Sequence, residues 1–205
     1  MLFGEGEIRF HSESGRVPSP GRKRNFLSSN YMKTIGLSAL IVMLLAGLFL
    51  MSCQTTTYYI VRHAEKLNET ANTPLSDAGL ARANVLKDTL LNKKIKYIFV
   101  SDKLRTQQTA QPTADAFDLS FTTFLSTPAG TLSLIQQLQT YKSTYGILVV
   151  GHSNTVPQII DSLMKAPQHI TIGENDFDNL YVVKISKGPS VGRTLKIARY
   201  GAVSP

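Results

Sequence analysis

Three short stretches of this 205-residue chain end in residues able to do chemistry. Tyr58-Tyr59-Ile60-Val61 runs into Arg62-His63. Tyr97-Ile98-Phe99-Val100 runs into Ser101-Asp102, with Arg105 close behind. Ile147-Leu148-Val149-Val150 runs into Gly151-His152-Ser153-Asn154. Each apolar, β-branched or aromatic run reads as a buried strand. In an open α/β sheet, ligands bind beyond the carboxyl ends of strands. Two Arg and two His therefore meet along one edge. Guanidinium groups offer planar, bidentate donors to phosphate. A neutral imidazole is a competent nucleophile, and a second, protonated one would add positive charge. Any one of these residues could be an ordinary surface His or a structural ion pair; together they make a phosphate cage.

The intervening segments must be the elements that hold this edge together. Ser76 can cap a helix with Asp77 in its first turn, favourable against the helix dipole. Leu80, Ala83, Leu86 and Leu90 then recur at helical spacing. Residues 104–117 form a second helix, and Leu134, Ile135, Leu138 and Tyr141 mark a third. A fourth follows His152, with Pro157 in its first turn, where a missing N–H costs least. Residues 180–185 and 195–198 read as closing strands, and the stretch between Asp118 and Thr131 as a loop governing specificity. Alternating strands and helices predict an α/β fold, a three-layer α/β/α sandwich with a mostly parallel central sheet. One domain over 53–205 accounts for it.

The same residues carry a resemblance. Tyr59-Ile60-Val61-Arg62-His63-Ala64-Glu65-Lys66 is similar to the Arg-His-Gly signature of the histidine phosphatase (phosphoglycerate mutase-like) superfamily. Ser101-Asp102-Lys103-Leu104-Arg105-Thr106-Gln107-Gln108-Thr109-Ala110 resembles its second motif, Gly151-His152-Ser153 its third, and Leu75-Ser76-Asp77-Ala78-Gly79 the turn between the first two. The resemblance implies a phosphoglycerate mutase-like fold in which His63 takes the phosphoryl group. Arg62 and Arg105 would clamp its oxygens, and His152 would stabilise it from the other side. No metal and no cofactor is implied, because fixed cations supply the electrostatic stabilisation. Lys66, Ser153 and Asn154 are the expected substrate-binding residues. Ala64 replaces the signature Gly. No Asp or Glu lies between Asp118 and Asp161, where many members place the general acid, and Ser153 stands where another branch has Asp. Glu65 and Asp77 are substitutes without support in the pattern. The expected function is a metal-independent phosphohydrolase. The alternatives are a non-catalytic phosphate-ligand binding lipoprotein and a phosphomutase.

The formal charge of +8 does not argue for nucleic acid, because residues 1–52 carry six Lys/Arg against three Glu. What remains suits a phosphorylated small molecule or an envelope phosphate. Residues 35–51 are uncharged and apolar, preceded by Lys33 and followed by Ser52-Cys53. Leu50-Met51-Ser52-Cys53 resembles a bacterial lipobox around the chain's single Cys. Residues 1–31 then read as a disordered leader or mis-assigned start, and 32–52 as a lipoprotein signal peptide. Lipidation at Cys53 would anchor an exported domain to a membrane of the cell envelope, the outer one being an option. Oligomeric state has no sequence signal. Gln54, Thr55, Thr56 and Thr57 read as a tether reaching about 15 Å. That tether predicts a catalytic edge close to the membrane surface.

Overall fold

Along β1 (Gln54–Arg62) the side chains alternate between two apolar layers: Tyr58 and Ile60 join one core, Tyr59 and Val61 the other. A strand covered on both faces belongs in the middle of a sheet. The computed structural model describes Met43 and residues 54–141, 143–187 and 190–204. The leader, the signal segment other than Met43, and Cys53 lie outside them.

After β1 come α1 (Asp77–Leu90), β2 (Ile95–Ser101), α2 (Leu104–Phe117), β3 (Phe121–Phe124) and α3 (Pro128–Thr140). Then follow β4 (Gly146–Gly151), α4 (Thr155–Met164), β5 (Asn179–Lys187) and β6 (Gly192–Arg199). The strands lie in the order β3-β2-β4-β1-β5-β6. β3, β2, β4 and β1 run parallel; β5 is antiparallel to both β1 and β6. Leu86 and Leu90 of α1 and Ala110 and Ala114 of α2 cover one face. Leu134 and Leu138 of α3 and Val156, Ile159, Ile160 and Leu163 of α4 cover the other. The three-layer sandwich with a mostly parallel sheet is therefore the observed fold.

Three details depart from the sequence expectations. The supposed tether is part of the sheet: β1 starts at Gln54, which pairs with Lys187, rather than at Tyr58. The supposed specificity loop contains β3, a four-residue edge strand whose central Thr122 and Thr123 are exposed and so leave no apolar run to read. On α1 the buried stripe is Gly79, Arg82, Ala83, Leu86 and Leu90, while Leu80 is exposed. Leu80 lies one position, about 100° of helix, off that stripe.

Ser76 caps α1 as expected, its Oγ accepting from the Gly79 N–H at 3.2 Å. The Ser76 N–H donates to the Glu65 carbonyl at 3.0 Å, docking the helix start onto the segment after His63. A Cβ on Gly79 would lie 2.2 Å from that carbonyl oxygen. Gly79→Ala should therefore cost about 1–3 kcal/mol, the range for forced overpacking. Urea unfolding with an unchanged midpoint would show that this approach does not constrain the helix.

Candidate active site

The parallel strands deliver their carboxyl ends to one cavity of about 610 Å³. Arg62, His63, Arg105 and His152 all line it, with Lys66, Ser153 and Asn154. The four residues expected to hold the phosphoryl group and the three expected to bind substrate thus reach the same space.

The His63 backbone N–H extends the β1–β4 ladder by donating to Gly151 O at 2.9 Å. The residue is buried, 4% exposed. Nδ1 lies 2.7 Å from the Ala64 carbonyl oxygen. A carbonyl only accepts, so Nδ1 carries the hydrogen and Nε2 keeps its lone pair. Burial pushes the imidazole down to about 3, reinforced by the nearby His152, Arg105 and Arg62. At neutral pH His63 is a neutral, oriented nucleophile. Ala64 is itself held, its N–H donating to Thr109 Oγ1 at 3.0 Å.

His152 sits with its ring centroid 5.3 Å from that of His63. Arg105 Nη2 approaches its Nδ1 at 3.4 Å, and a guanidinium only donates. Nε2 of His152 therefore carries the hydrogen and donates to Ser101 Oγ at 2.8 Å. Ser101 Oγ in turn bonds Thr106 Oγ1 at 2.9 Å. The His152 N–H donates to Thr155 Oγ1 at 2.8 Å. Burial, then Arg105, holds this imidazole down to about 4. The expected second, protonated imidazole is thus neutral here; the two guanidinium groups supply the charge. An anionic phosphate in the cavity would favour its protonation.

Arg62 donates from Nη1 to the carbonyl oxygens of Gly173 at 2.6 Å and Glu174 at 2.7 Å. Its guanidinium carbon lies 4.4 Å from the Phe177 ring centroid, a cation–π contact. Arg105 donates from Nη1 to Ala71 O at 3.0 Å. The Nε–H groups of both arginines are buried and have no hydrogen-bond partner among the described residues. Each such orphan donor costs about 1–3 kcal/mol.

At the rim, Lys66 pairs with Glu69. Ser153 and Asn154 lie at the start of α4. Glu65 lines the cavity, yet both its carboxylate oxygens accept from Arg82 Nε at 2.9 Å. Asp77 is exposed on the first turn of α1 and does not line the cavity. Of the two acids named from sequence, neither presents a free carboxyl group to the cavity. Glu69 and Glu174, which the sequence reading passed over, are at the rim instead. Phe177 and the carbonyls of 173–174 were also missed. They belong to the 165–178 connection, and its length without a periodic pattern is the one signal that marks it.

A family model for the histidine phosphatase superfamily (branch 1) matches residues 58–124, which hold the first two motifs. Over that stretch the chain is similar to the histidine phosphatase superfamily. Among curated relatives, "Probable phosphoglycerate mutase GpmB" of Yersinia pestis is 38% identical over 72 residues, 32% of this chain and 34% of the relative. The chain thus aligns with about a third of that relative's length. Among solved structures, a mycobacterial hydrolase matches at TM-score 0.58 and 12% identity, over 74% of this chain and 93% of that one. A mycobacterial glucosyl-3-phosphoglycerate phosphatase gives TM-score 0.56 at 13% identity, over 72% of this chain and 100% of the other. The protein histidine phosphatase SixA, complexed with tungstate, gives 0.52 at 21%, over 70% and 96%. These similarities show the histidine phosphatase fold.

The two depressed imidazoles make stability depend on pH. Both histidines take up protons near 6.5 when unfolded, but only well below that when folded. Stability is therefore full above pH 6.5 and falls as the pH drops from there toward 4 and 3. In urea unfolding, wild type should lose stability relative to His63→Asn between pH 7 and pH 4.5. Parallel pH curves for the two proteins would mean that His63 is not held neutral by burial.

Proposed function

We propose that the domain is a metal-independent phosphohydrolase that works through a phosphohistidine on His63. The convergence of Arg62, Arg105 and His152 with a neutral, oriented His63 imidazole on one cavity carries this reading. His63 Nε2 attacks phosphorus, and the bond from phosphorus to the leaving group breaks with its electron pair. Nδ1 keeps its proton on the Ala64 carbonyl throughout. Water then attacks the phosphorus, the P–N bond breaks, and Nε2 regains its lone pair as inorganic phosphate leaves. The proton released by water balances the one taken by the leaving group. Both guanidinium groups and His152 face the charge that develops on the transferring phosphoryl group.

Among the described residues, Glu65 is committed to Arg82 and Glu69 pairs with Lys66, which leaves the exposed Glu174 as the cavity carboxylate best placed to deliver a proton. That favours substrates whose leaving group needs little protonation, such as acyl phosphates, phosphoramidates or diphosphates. The polar cavity admits water, which supports hydrolysis over the phosphomutase alternative. Lys66, Ser153 and Asn154 are the contacts for the rest of the substrate. The Leu50-Met51-Ser52-Cys53 pattern supports export and lipidation at Cys53, which would place this phosphatase on a bacterial envelope membrane.

Turnover of an activated aryl or acyl phosphate in EDTA is the test. Wild type should turn over and trap an acid-labile, base-stable phosphoenzyme. His63→Asn should lose both, with a rate reduction of at least about 10³-fold, in the range lost when a covalent nucleophile is removed. Phosphate or vanadate binding without turnover by the wild type would leave the phosphate-binding alternative standing.

A further inference from the structure

We infer that the end of the domain opposite the cavity is a docking surface for an anionic phospholipid bilayer, so that the active site faces water and acts on a water-borne phosphate. The inference rests on the proposed membrane attachment ahead of Gln54, whether through a lipid on Cys53 or through an uncleaved apolar segment 35–51. Either attachment joins the domain at the same place.

That place is the start of β1. Gln54 opens the strand and Arg62 closes it at the cavity. Nine residues of strand span roughly 26 Å at about 3.3 Å per residue. The register defines which other residues share the anchor end. Thr57 and Ile95 both pair with Gly146, Thr57 also pairs with Lys184, and Lys184 pairs with Thr194. At or beyond this row lie Lys93, Lys94 and Lys184, with Lys96 in the bulge just inside it, all exposed. Lys165, the exposed C-cap of α4, and Arg193 line a small cavity of about 150 Å³ with Thr56 at the same end. Arg193 Nη1 is buried there without a partner among the described residues.

The acidic residues at this end do not cancel these cations. Asp88 pairs with Lys87. Asp161, which accepts from the Gln168 N–H at 2.8 Å, is one anion against the six cations Lys93, Lys94, Lys96, Lys165, Lys184 and Arg193. Asp115 and Asp118 lie at the end of α2, toward the β3 edge of the sheet. Glu65, Glu69 and Glu174, by contrast, line the cavity at the opposite end. Exposed Leu91, Tyr145 and Val191 stand among the lysines, with Lys96 Nζ 4.8 Å from the Tyr145 ring centroid. Basic residues with an interfacial aromatic, next to a membrane attachment point, match an anionic headgroup layer. Each such lysine strengthens association with an anionic surface about fivefold. The cavity is held a strand's length away, so headgroups of the same bilayer are beyond its reach.

The test uses the full chain with Cys53→Ser, leaving one introduced cysteine for a fluorophore. Ala78→Cys marks the start of α1, at the cavity end; Asn92→Cys marks the turn after its C-cap Leu91, at the anchor end. Both positions are exposed. The chains are reconstituted in phosphatidylcholine vesicles with or without phosphatidylglycerol, containing a headgroup-quencher lipid. In anionic vesicles the Asn92 label should be quenched several-fold more than the Ala78 label. High salt should abolish the difference. Combined Lys93→Glu, Lys94→Glu and Lys96→Glu should abolish it too, with turnover of a soluble aryl phosphate unchanged. Equal quenching, stronger quenching at Ala78, none at either position, or the same pattern in neutral vesicles would each overturn the inference. Fatty-acid labelling of the wild type reads the lipid separately: its failure removes the lipoprotein reading and leaves the orientation result standing.

Discussion

The site depends on keeping one imidazole neutral and oriented beside two guanidinium groups. In water a histidine takes a proton readily near neutrality, and a protonated ring has no lone pair to offer phosphorus. Burial of His63 removes that option, and the cations around it make a further positive charge dearer. The Ala64 carbonyl then fixes which nitrogen holds the hydrogen. Desolvation and one backbone hydrogen bond thus convert a common residue into a nucleophile. The two guanidinium groups lining the same cavity supply the positive charge that the neutral ring lacks.

The surrounding structure maintains that arrangement. Thr109 receives the Ala64 N–H and donates to Arg105 O at 2.7 Å, tying the His63 segment to α2. Glu65 pairs with the buried Arg82, whose Nη1 donates to the carbonyls of Tyr200 at 3.0 Å and Ala202 at 2.8 Å. Losing one partner of such a pair typically costs about 3–5 kcal/mol. Ser204 Oγ accepts the N–H groups of Phe177 at 2.8 Å and Asp178 at 3.1 Å, holding the ring that lies over Arg62. The last residues of the described chain therefore brace both sides of the nucleophile.

What was legible in the sequence follows from how local each signal is. Arg62, His63, Arg105 and His152 could be placed because strand ends in a parallel sheet share an edge, and the apolar runs before them are unambiguous. The helix cap at Ser76 and the extent of α2 are equally local. β3 was lost because an exposed edge strand with Thr122 and Thr123 at its centre carries no apolar pattern. Phe177, Ser204 and the carbonyls of 173–174 act across long sequence separations, and no spacing rule points to them. Leu80 was misassigned because several Leu fit a helical stripe and only packing decides which one faces the core. The protonation of His152 depends on burial, which residue type does not reveal. Orientation relative to a membrane needed the register of β1 with β5, which absorbed the residues that had read as a tether.

The central claim is that His63 is neutral at physiological pH with its hydrogen on Nδ1. Nitrogen-15 NMR of the imidazole rings, assigned with His63→Asn, reads charge and tautomer together. At pH 7 the account predicts a protonated Nδ1 and a bare Nε2 for His63, persisting to below pH 5. A doubly protonated His63 ring at pH 7, or hydrogen on Nε2, would contradict it.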